Sequence, residues 1–429
     1  MTTALSAIAI KAQTHPRHRF QNLYGQLNAD ALYRGWAHLN KQSAAGIDGI
    51  TAHQFEQRLP ENIHALARQL KADRYRVDDV KRVYIPKANG KQRPLGLPTV
   101  ADKVVQQSVA DLLQSIWEQD FLPNSYGYRV NKSAHQAVHS LQLNLQYKGY
   151  GYVVEADIKG FFDHMDHAWL VRMLKQRIDD KRILNLINQW LKARIREPDG
   201  RYHKPAAGTP QGGVISPVLA NIYLHYALDL WFEKRIKPKL RGRAMLIRYA
   251  DDFVVAFQYR HEAEDFFAQL APRLKQFNLD VAPEKTSLKR FSRFHPGQVR
   301  AFEFLGFRFY WEMDFTGEPR LRRKTAPKKH KTTLQSFREW IRENRHLRLD
   351  QLMPALNRKI VGFRNYFALP DNSLSVARIF NEILRSLYRW LNRRSGRKSY
   401  TWSGMKEMLR YYGIQSMRVS KRNIAVDWY

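Results

Sequence analysis

The sequence predicts an α+β chain of two or three packed subdomains that ends in a small helical domain, and three observations point to it. First, 429 residues with 44% hydrophobic content exceed the usual size of one domain and can bury a sizeable core. Second, Met245-Leu246-Ile247-Arg248-Tyr249 and Phe253-Val254-Val255-Ala256-Phe257 are runs of strand formers separated by only three residues, which reads as a hairpin. Third, apolar residues past position 320 recur at helical spacing.

Charge narrows the partners. Seventy-two Lys and Arg against 39 Asp and Glu give a net charge of +33, unfavourable in a compact fold unless a polyanion neutralises it, so nucleic acid is the expected partner. A membrane-surface role would require an amphipathic or lipidated anchor, and no such segment is visible. Cysteine is absent, which excludes disulfides, thiolate zinc sites and cysteine nucleophiles. No run approaches the roughly 18 apolar residues of a membrane span, and Ala4 to Ile10 lacks the charged start of a signal peptide. A soluble, cytoplasmic chain is expected.

In chain order, Arg19 to Leu70 is helical and polar-rich, interrupted by the turn signal Gly46-Ile47-Asp48-Gly49. Val83-Tyr84-Ile85 reads as a strand, and Lys87-Ala88-Asn89-Gly90-Lys91 as a basic hairpin turn. Val104 to Ile116 and Ser133 to Leu145 read as helices on either side of a loop around Tyr126-Gly127-Tyr128. Tyr152 to Ala156 is strand-like, with a helical stretch following through Leu174. Val218 to Trp231 is helix-like. Near residue 320 the cations Arg322, Arg323, Lys324, Lys328, Lys329 and Lys331, with Pro327 among them, predict a basic linker. Beyond it, Leu334, Phe337 and Ile341 mark one helix, Leu352, Leu356 and Ile360 a second, and Val376, Ile379, Ile383, Leu387 and Leu391 a third.

Chemistry concentrates in four places. At the hairpin tip, Asp251 and Asp252 put two carboxylates side by side, an arrangement that a divalent cation would relieve; solvated turn acids are the plain alternative. Asp157 closes the strand before it and is the natural third carboxylate. Asp163 and Asp166 also qualify, although acids at a helix start commonly serve as caps. Magnesium suits a few carboxylate oxygens plus phosphate, and two such ions support in-line phosphoryl transfer. Gly208-Thr209-Pro210-Gln211-Gly212-Gly213 allows close backbone approach to a ligand but matches neither a P-loop nor a dinucleotide fingerprint. Lys81, Arg82, Lys87, Lys91 and Arg93 surround the first hairpin, where they grip a triphosphate or form a solvated basic turn.

Taken together, the segments resemble the reverse transcriptases encoded by bacterial group II introns, the intron maturases. The resemblance rests on Ile85-Pro86-Lys87 with Arg93 to Thr99, Ser125-Tyr126-Gly127-Tyr128-Arg129, Asp157 to Asp163, Gly208 to Gly213 with Ser216-Pro217, Tyr249-Ala250-Asp251-Asp252, Glu284-Lys285-Thr286 and Phe304-Leu305-Gly306-Phe307. Gly362-Phe363-Arg364-Asn365-Tyr366-Phe367 resembles a motif of the family's thumb, or maturase X domain.

That resemblance implies a right-hand polymerase: fingers, a palm with an antiparallel sheet, and a helical thumb. Its expected division is an N-terminal extension and start of fingers at 1–80, fingers and palm at 81–320, the thumb or X domain at 321–400, and a short basic tail at 401–429. It implies RNA-directed DNA polymerase activity with two Mg2+ ions, Mn2+ being a possible substitute, held by Asp157, Asp251, Asp252 and the Ile158 carbonyl. Phe161 is expected beneath the sugar, disfavouring a 2′-hydroxyl. Lys87 and Arg93 are expected at the triphosphate, Gln211 at the nucleotide or template, Lys285 where a cation assists pyrophosphate departure, and Leu305-Gly306 at the primer end. Expected partners are an RNA template, intron RNA, a DNA primer or target and deoxynucleoside triphosphates. Arg385, Arg389, Arg393 and Arg394, with Arg397 and Lys398 beyond them, are candidate RNA contacts, or a solvated helix face.

Many relatives add an HNH endonuclease with cysteine-ligated metal, which the absence of cysteine disfavours here. Two other readings keep parts of this picture: a related enzyme recruited to host defence or repair, and a splicing-only RNA-binding maturase. Which RNA and DNA are recognised, and the oligomeric state, are left unassigned.

Overall fold

The computed structural model describes residues 4–86, 90, 92–209, 212–394 and 399–417. The chain opens with α1 (Ala4–Thr14), α2 (Ala29–His38), α3 (Ala52–Glu56) and α4 (Leu59–Lys71). Helix starts are fixed chemically: the Asn28 side chain accepts from the Ala31 N–H, and Thr51 with Gln54 forms a reciprocal capping box. Strands β1 (Val80–Pro86) and β2 (Gln92–Leu97) pair antiparallel from Lys81↔Leu97 to Pro86↔Gln92, as the hairpin signal requires. Next come α5 (Val100–Trp117), α6 (Ala134–Tyr147) and β3 (Tyr152–Asp157).

The helical stretch expected after β3 is two pieces, α7 (Phe161–His164) and α8 (His167–Leu174). Asp166 breaks it by capping α8, its side chain accepting from the Trp169 N–H. Then follow α9 (Lys181–Leu191), the two-residue strands β4 (Ile195–Arg196) and β5 (Tyr202–His203), and α10 (Ser216–Leu224), which widens into π turns at His225–Asp229 and Phe232–Ile236. The acid-tipped hairpin is β6 (Ala244–Tyr249) and β7 (Asp252–Phe257). The remainder is α11 (Arg260–Lys275), β8 (Ser287–Arg290), β9 (Gly297–Phe304), β10 (Phe307–Met313), β11 (Pro319–Thr325), α12 (Pro327–Asn344), α13 (Leu349–Phe367), α14 (Ser373–Leu391) and α15 (Trp402–Tyr411). Three sheets result, ordered β2-β1-β4-β5, β6-β7-β3-β8 and β11-β10-β9.

The chain divides into two compact units. One comprises Met1–Ser133, Ala156–Val255 and His261–Leu288, the other Ala134–Glu155, Ala256–Arg260 and Lys289–Tyr429. The first is organised around α5, which is apolar on several sides and buries Val104, Val105, Val109, Leu113, Ile116 and Trp117 completely. Helix α2 packs tightly on it. Ser108 Oγ donates to the Ala31 carbonyl at 3.0 Å, and a Cβ on Gly35 would come within 2.8 Å of the Val104 carbonyl oxygen.

In the second unit α12, α13 and α14 bury every residue that the sequence pattern assigns to their apolar faces except Leu334, which is half-exposed. The basic linker expected at 322–331 is regular structure instead. Leu321, Arg323 and Thr325 alternate inward along β11, and each is at most 7% exposed. A two-residue period goes unseen when one inward position is an arginine. Arg323 is admitted because Asp371 accepts from its Nε at 2.8 Å, its Nη2 at 3.0 Å and its backbone N–H at 3.0 Å. Asn372 extends the bracket, bonding both Thr325 and the Phe367 carbonyl. Helix α6 closes the outer edge of β11, Gln146 accepting from the Leu321 N–H and donating to the Pro319 carbonyl. Among the described residues no helix is long and apolar enough to cross a membrane.

Asp371→Ala leaves a nearly buried guanidinium unpaired, a loss of roughly 3–5 kcal/mol. The solvent-facing Arg194–Asp79 pair, with side chains 55% and 23% exposed, contributes little because water screens it. Thermal unfolding should therefore show a clear drop in midpoint for Asp371→Ala and almost none for Asp79→Ala; equal drops would show that Asp371 is not the anchor of β11.

Candidate active site

Three carboxylates define the site, all in the first unit. Asp157 ends β3 with its side chain 22% exposed, while Asp251 and Asp252 stand half-buried at the β6–β7 turn. Burial raises the Asp251 pKa, its own backbone N–H opposes that, and the negative charge of Asp157 raises it further; Lys285 and Arg93 pull it back. The two aspartates thus feel each other. Lys285 answers the excess charge directly: its ammonium donates to Asp157 Oδ2 at 2.6 Å, and the bond raises its own pKa. Among the described residues no three His, Cys, Asp or Glu side chains gather closely enough to hold an ion unaided. Such a donor set fits a hard cation that takes one or two carboxylates and completes its shell with phosphate oxygens and water.

The acidic turn is strained, and its brace is buried. Ala250 sits at φ +55°, a left-handed conformation costing an L-residue roughly 1 kcal/mol or more. Beneath it Arg248 is wholly inaccessible and has all five of its N–H donors engaged. Nε and Nη2 meet Asp229 at 2.8 and 2.6 Å, Nη2 also reaches Ser125 Oγ at 2.7 Å, and Nη1 reaches Asn221 Oδ1 at 3.1 Å and the Ala250 carbonyl at 3.0 Å. Residues 124–127 run alongside, the Tyr126 N–H donating to the Arg248 carbonyl and the Arg248 N–H to the Asn124 carbonyl. Gly127 has to be glycine here, because a Cβ would collide with the Tyr249–Ala250 backbone.

A cavity of about 200 Å³ opens beside this turn, lined by Arg93, Leu95, Tyr128, Phe162, Gly212, Gly213, Ser216 and Pro217. Tyr128 carries it to the acids, its ring centroid 6.5 Å from Tyr249 and 6.4 Å from Phe162. The glycine-rich segment is shaped against α7: Gly208 lies at φ +85°, where a Cβ would meet the Phe162 and Asp163 carbonyls at 2.7 Å, and the Thr209 N–H bonds the Phe162 carbonyl. The floor is therefore rigid backbone.

Phe161, expected beneath the sugar, does not face this cavity. It is 1% exposed, packed at 5.4 Å from Phe162 and 6.2 Å from Tyr223, and the neighbouring Phe162 lines the opening. Ile158 is likewise buried, bridged to Val281. Lys87 and Gln211, expected at the nucleotide, and Arg397 and Lys398 lie outside the described residues.

In the second unit, Leu305 at φ +50° and Gly306 at φ +79° form the turn between β9 and β10. It is bolted down by Tyr366 Oη, which donates to the Leu305 carbonyl, and by the Ala326 N–H, which donates to the Gly306 carbonyl. Arg385 and Arg389 line a groove with Arg338, Arg342, Trp390 and the carboxylates Glu339 and Glu382, and Glu382 accepts from both Arg385 and Arg338. Arg393 lies over the Trp390 ring, and Arg394 donates to the carbonyls of Arg345 and Leu347. The sequence reading missed Arg248, Asp229 and Tyr128 as parts of the site; an arginine inside an apolar strand and an aspartate inside an apolar helix were the available signals.

Removing Asp229 strands a fully buried cation, so Asp229→Ala should cost roughly 3–5 kcal/mol, whereas Ser125→Ala removes one of five bonds, about 1 kcal/mol. Denaturation midpoints of the two variants test this ranking, and a Ser125→Ala loss as large as that of Asp229→Ala would contradict it.

Residues 85–309 match the family described as Reverse transcriptase (RNA-dependent DNA polymerase), and residues 328–411 match Group II intron, maturase-specific domain. The chain is similar to the group II intron-encoded protein LtrA of Lactococcus lactis subsp. cremoris, 38% identical over 226 residues, which cover 52% of this chain and 37% of the relative. It is also similar to Protein YkfC of Escherichia coli strain K12, 32% identical over 278 residues, covering 60% of this chain and 73% of that protein. A further relative, the uncharacterized 91 kDa protein in cob intron of Schizosaccharomyces pombe, is 27% identical over 322 residues, covering 62% of this chain and 39% of its own. The chain thus spans little more than a third of LtrA and about three quarters of YkfC. With more than half of its length matched, and with palm-like sheet and helical C-terminal region in place, the chain belongs to the reverse transcriptase family and carries a group II intron maturase-specific domain.

Proposed function

We propose that this chain is an RNA-directed DNA polymerase of a group II intron that extends a DNA primer on an RNA template and binds intron RNA to assist splicing and mobility. The observation that carries the reading is the pairing of Asp157 with the strained Asp251-Asp252 turn, in a chain of net charge +33. Asp157, Asp251 and Asp252, with the Ile158 carbonyl, would hold two Mg2+ ions, for which Mn2+ can substitute. Bound there, the ions supply activation of the primer 3′-hydroxyl and neutralisation of the departing pyrophosphate. The protein's own share is positioning. Arg93 lines the cavity where the triphosphate of a deoxynucleotide would lie, with Lys87 and Gln211 as further contacts, and Tyr128 and Phe162 offer flat apolar walls to base and sugar.

Lys285 has two stations in this scheme. Paired with Asp157 at 2.6 Å, it neutralises that carboxylate, and its long exposed stem would let the ammonium turn toward the leaving phosphate when Asp157 held a cation instead. Phe162, in place of Phe161, takes the role of excluding a 2′-hydroxyl, because its ring borders the cavity. Leu305-Gly306 serves the primer end. Arg385, Arg389, Arg393 and Arg394 serve RNA, whose phosphates attract them irrespective of sequence. A template-copying enzyme of this kind works in the cytoplasm, where intron RNA and its DNA target meet.

Two sets of variants test the proposal. Primer extension on an RNA template should vanish in Asp251→Ala/Asp252→Ala and on chelation of divalent ions, while binding to the primer–template survives; no extension by the native chain, with RNA binding intact, would leave a splicing-only role. Phe162→Val should raise ribonucleotide over deoxynucleotide incorporation by about 10- to 200-fold, and Phe161→Val should lower stability without changing that ratio. The opposite pattern would restore Phe161 to the sugar.

A further inference from the structure

The hairpin of β10 and β11 has a tip built the wrong way round for a solvent-exposed turn. Its seven register pairs run from Phe307↔Thr325 to Met313↔Pro319, a stem about 20 Å long at the usual rise. In the connecting turn the Asp314 side chain is turned inward, 6% exposed, while Phe315 is 99% exposed beside the exposed Glu318. Asp314 makes the turn stiff. Oδ1 accepts from the Thr316 N–H at 2.9 Å, the Thr316 hydroxyl at 2.6 Å and the Glu318 N–H at 2.9 Å, and Oδ2 accepts from Arg320 Nε at 2.9 Å. Backbone bonds from Asp314 N–H to the Glu318 carbonyl and from Gly317 N–H to the Asp314 carbonyl close it, with Gly317 at φ +81°.

The hydrophobic effect favours folding such a ring back onto its stem. This turn instead holds the phenyl group clear of it. Lone exposed apolar residues are ordinary on protein surfaces; one carried on a turn fixed by six hydrogen bonds is a presented group. The stem behind it is cationic. Register pairing puts Arg308 opposite Lys324, Tyr310 opposite Arg322 and Glu312 opposite Arg320, so one face bears four cations, countered by Glu312, by Asp314 at the tip and by Glu303 opposite Arg308 on β9. The Lys324 ammonium lies 4.8 Å from the centroid of the Tyr310 ring.

A row of cations ending in an open aromatic face matches one class of ligand, a polyanion that carries flat apolar rings at regular intervals. Single-stranded nucleic acid is that ligand. A second copy of this chain fits badly, since it would bring a charge of +33 to a face that is already positive. We propose that the β10–β11 hairpin is a nucleic-acid contact in which Phe315 stacks on an unpaired base while the cations of the stem follow the adjoining phosphates. This contact shares no residue with the carboxylate site and requires no metal.

The test is binding of the full chain, without divalent ions, to a single strand of about 12 nucleotides carrying one 2-aminopurine. Wild type and Phe315→Trp should quench the probe, whereas Phe315→Ala should lose the quench and weaken binding roughly 5- to 100-fold, the range of one lost base stack. Arg322→Ala should leave the quench and reduce the slope of log affinity against log salt by about one. Phe315 is exposed, so its variants should fold normally, which circular dichroism checks. Unchanged affinity and quench in Phe315→Ala would overturn the proposal, as would a wild-type dimer in sedimentation velocity that Phe315→Ala dissociates. The Asp251→Ala/Asp252→Ala chain should bind like wild type, so a failure of the polymerase reading leaves this result standing and the converse also holds.

Discussion

The buried pair of Arg248 and Asp229 is the interaction on which the site depends. A carboxylate tip needs a backbone conformation that an alanine adopts reluctantly, and it needs that conformation without a bound ion to impose it. Arg248 supplies the constraint from below, because its Nη1 reaches the Ala250 carbonyl only while Asp229, Asn221 and Ser125 fix the rest of its fork. Burying an ion pair is a poor way to gain stability, since desolvation offsets most of the attraction. It is a good way to gain a unique geometry, as a planar group with five directed donors satisfies all of them in one arrangement only.

Around that fixed turn the electrostatics are poised. Burial and the negative charge of Asp157 raise the Asp251 pKa, and Lys285 lies across Asp157. The carboxylates are thus countered in a partly buried place by a cation on a long flexible stem, 61% exposed and able to swing away. A permanent arginine clamp at the same point would compete with the cation that the proposed chemistry requires. The protein separates the two uses: a rigid arginine where geometry is wanted, a mobile lysine where charge must come and go.

The acids were legible because their sequence context is unusual: two adjacent carboxylates between apolar runs, and a third at a strand end. The thumb helices were legible because their apolar spacing is regular and local. What escaped notice depends on distance or on direction. Arg248 draws its partners from residues 125, 221, 229 and 250, and no local pattern announces such a meeting. Phe161 and Phe162 are neighbours on a four-residue helix, about 100° apart in direction, and only the left-handed Gly160 at φ +54° and the packing behind it decide which ring meets the cavity. The strand at Pro319–Thr325 was hidden because one inward residue is an arginine whose neutralising aspartate lies 48 positions ahead.

The way α6 is finished bears on how the chain is made. Its inward side chains Ala137, Val138, Leu141 and Leu145 are at most 1% exposed, and the strand edge it covers, at Leu321, lies 175 residues after Gln146. Ribosomes add roughly 5–20 residues per second, so α6 is made about 10–35 s before the strand edge that Gln146 bonds. The bonds from Gln146 to the Leu321 N–H and the Pro319 carbonyl are therefore late events in synthesis, joining a helix made early to a strand made long after it.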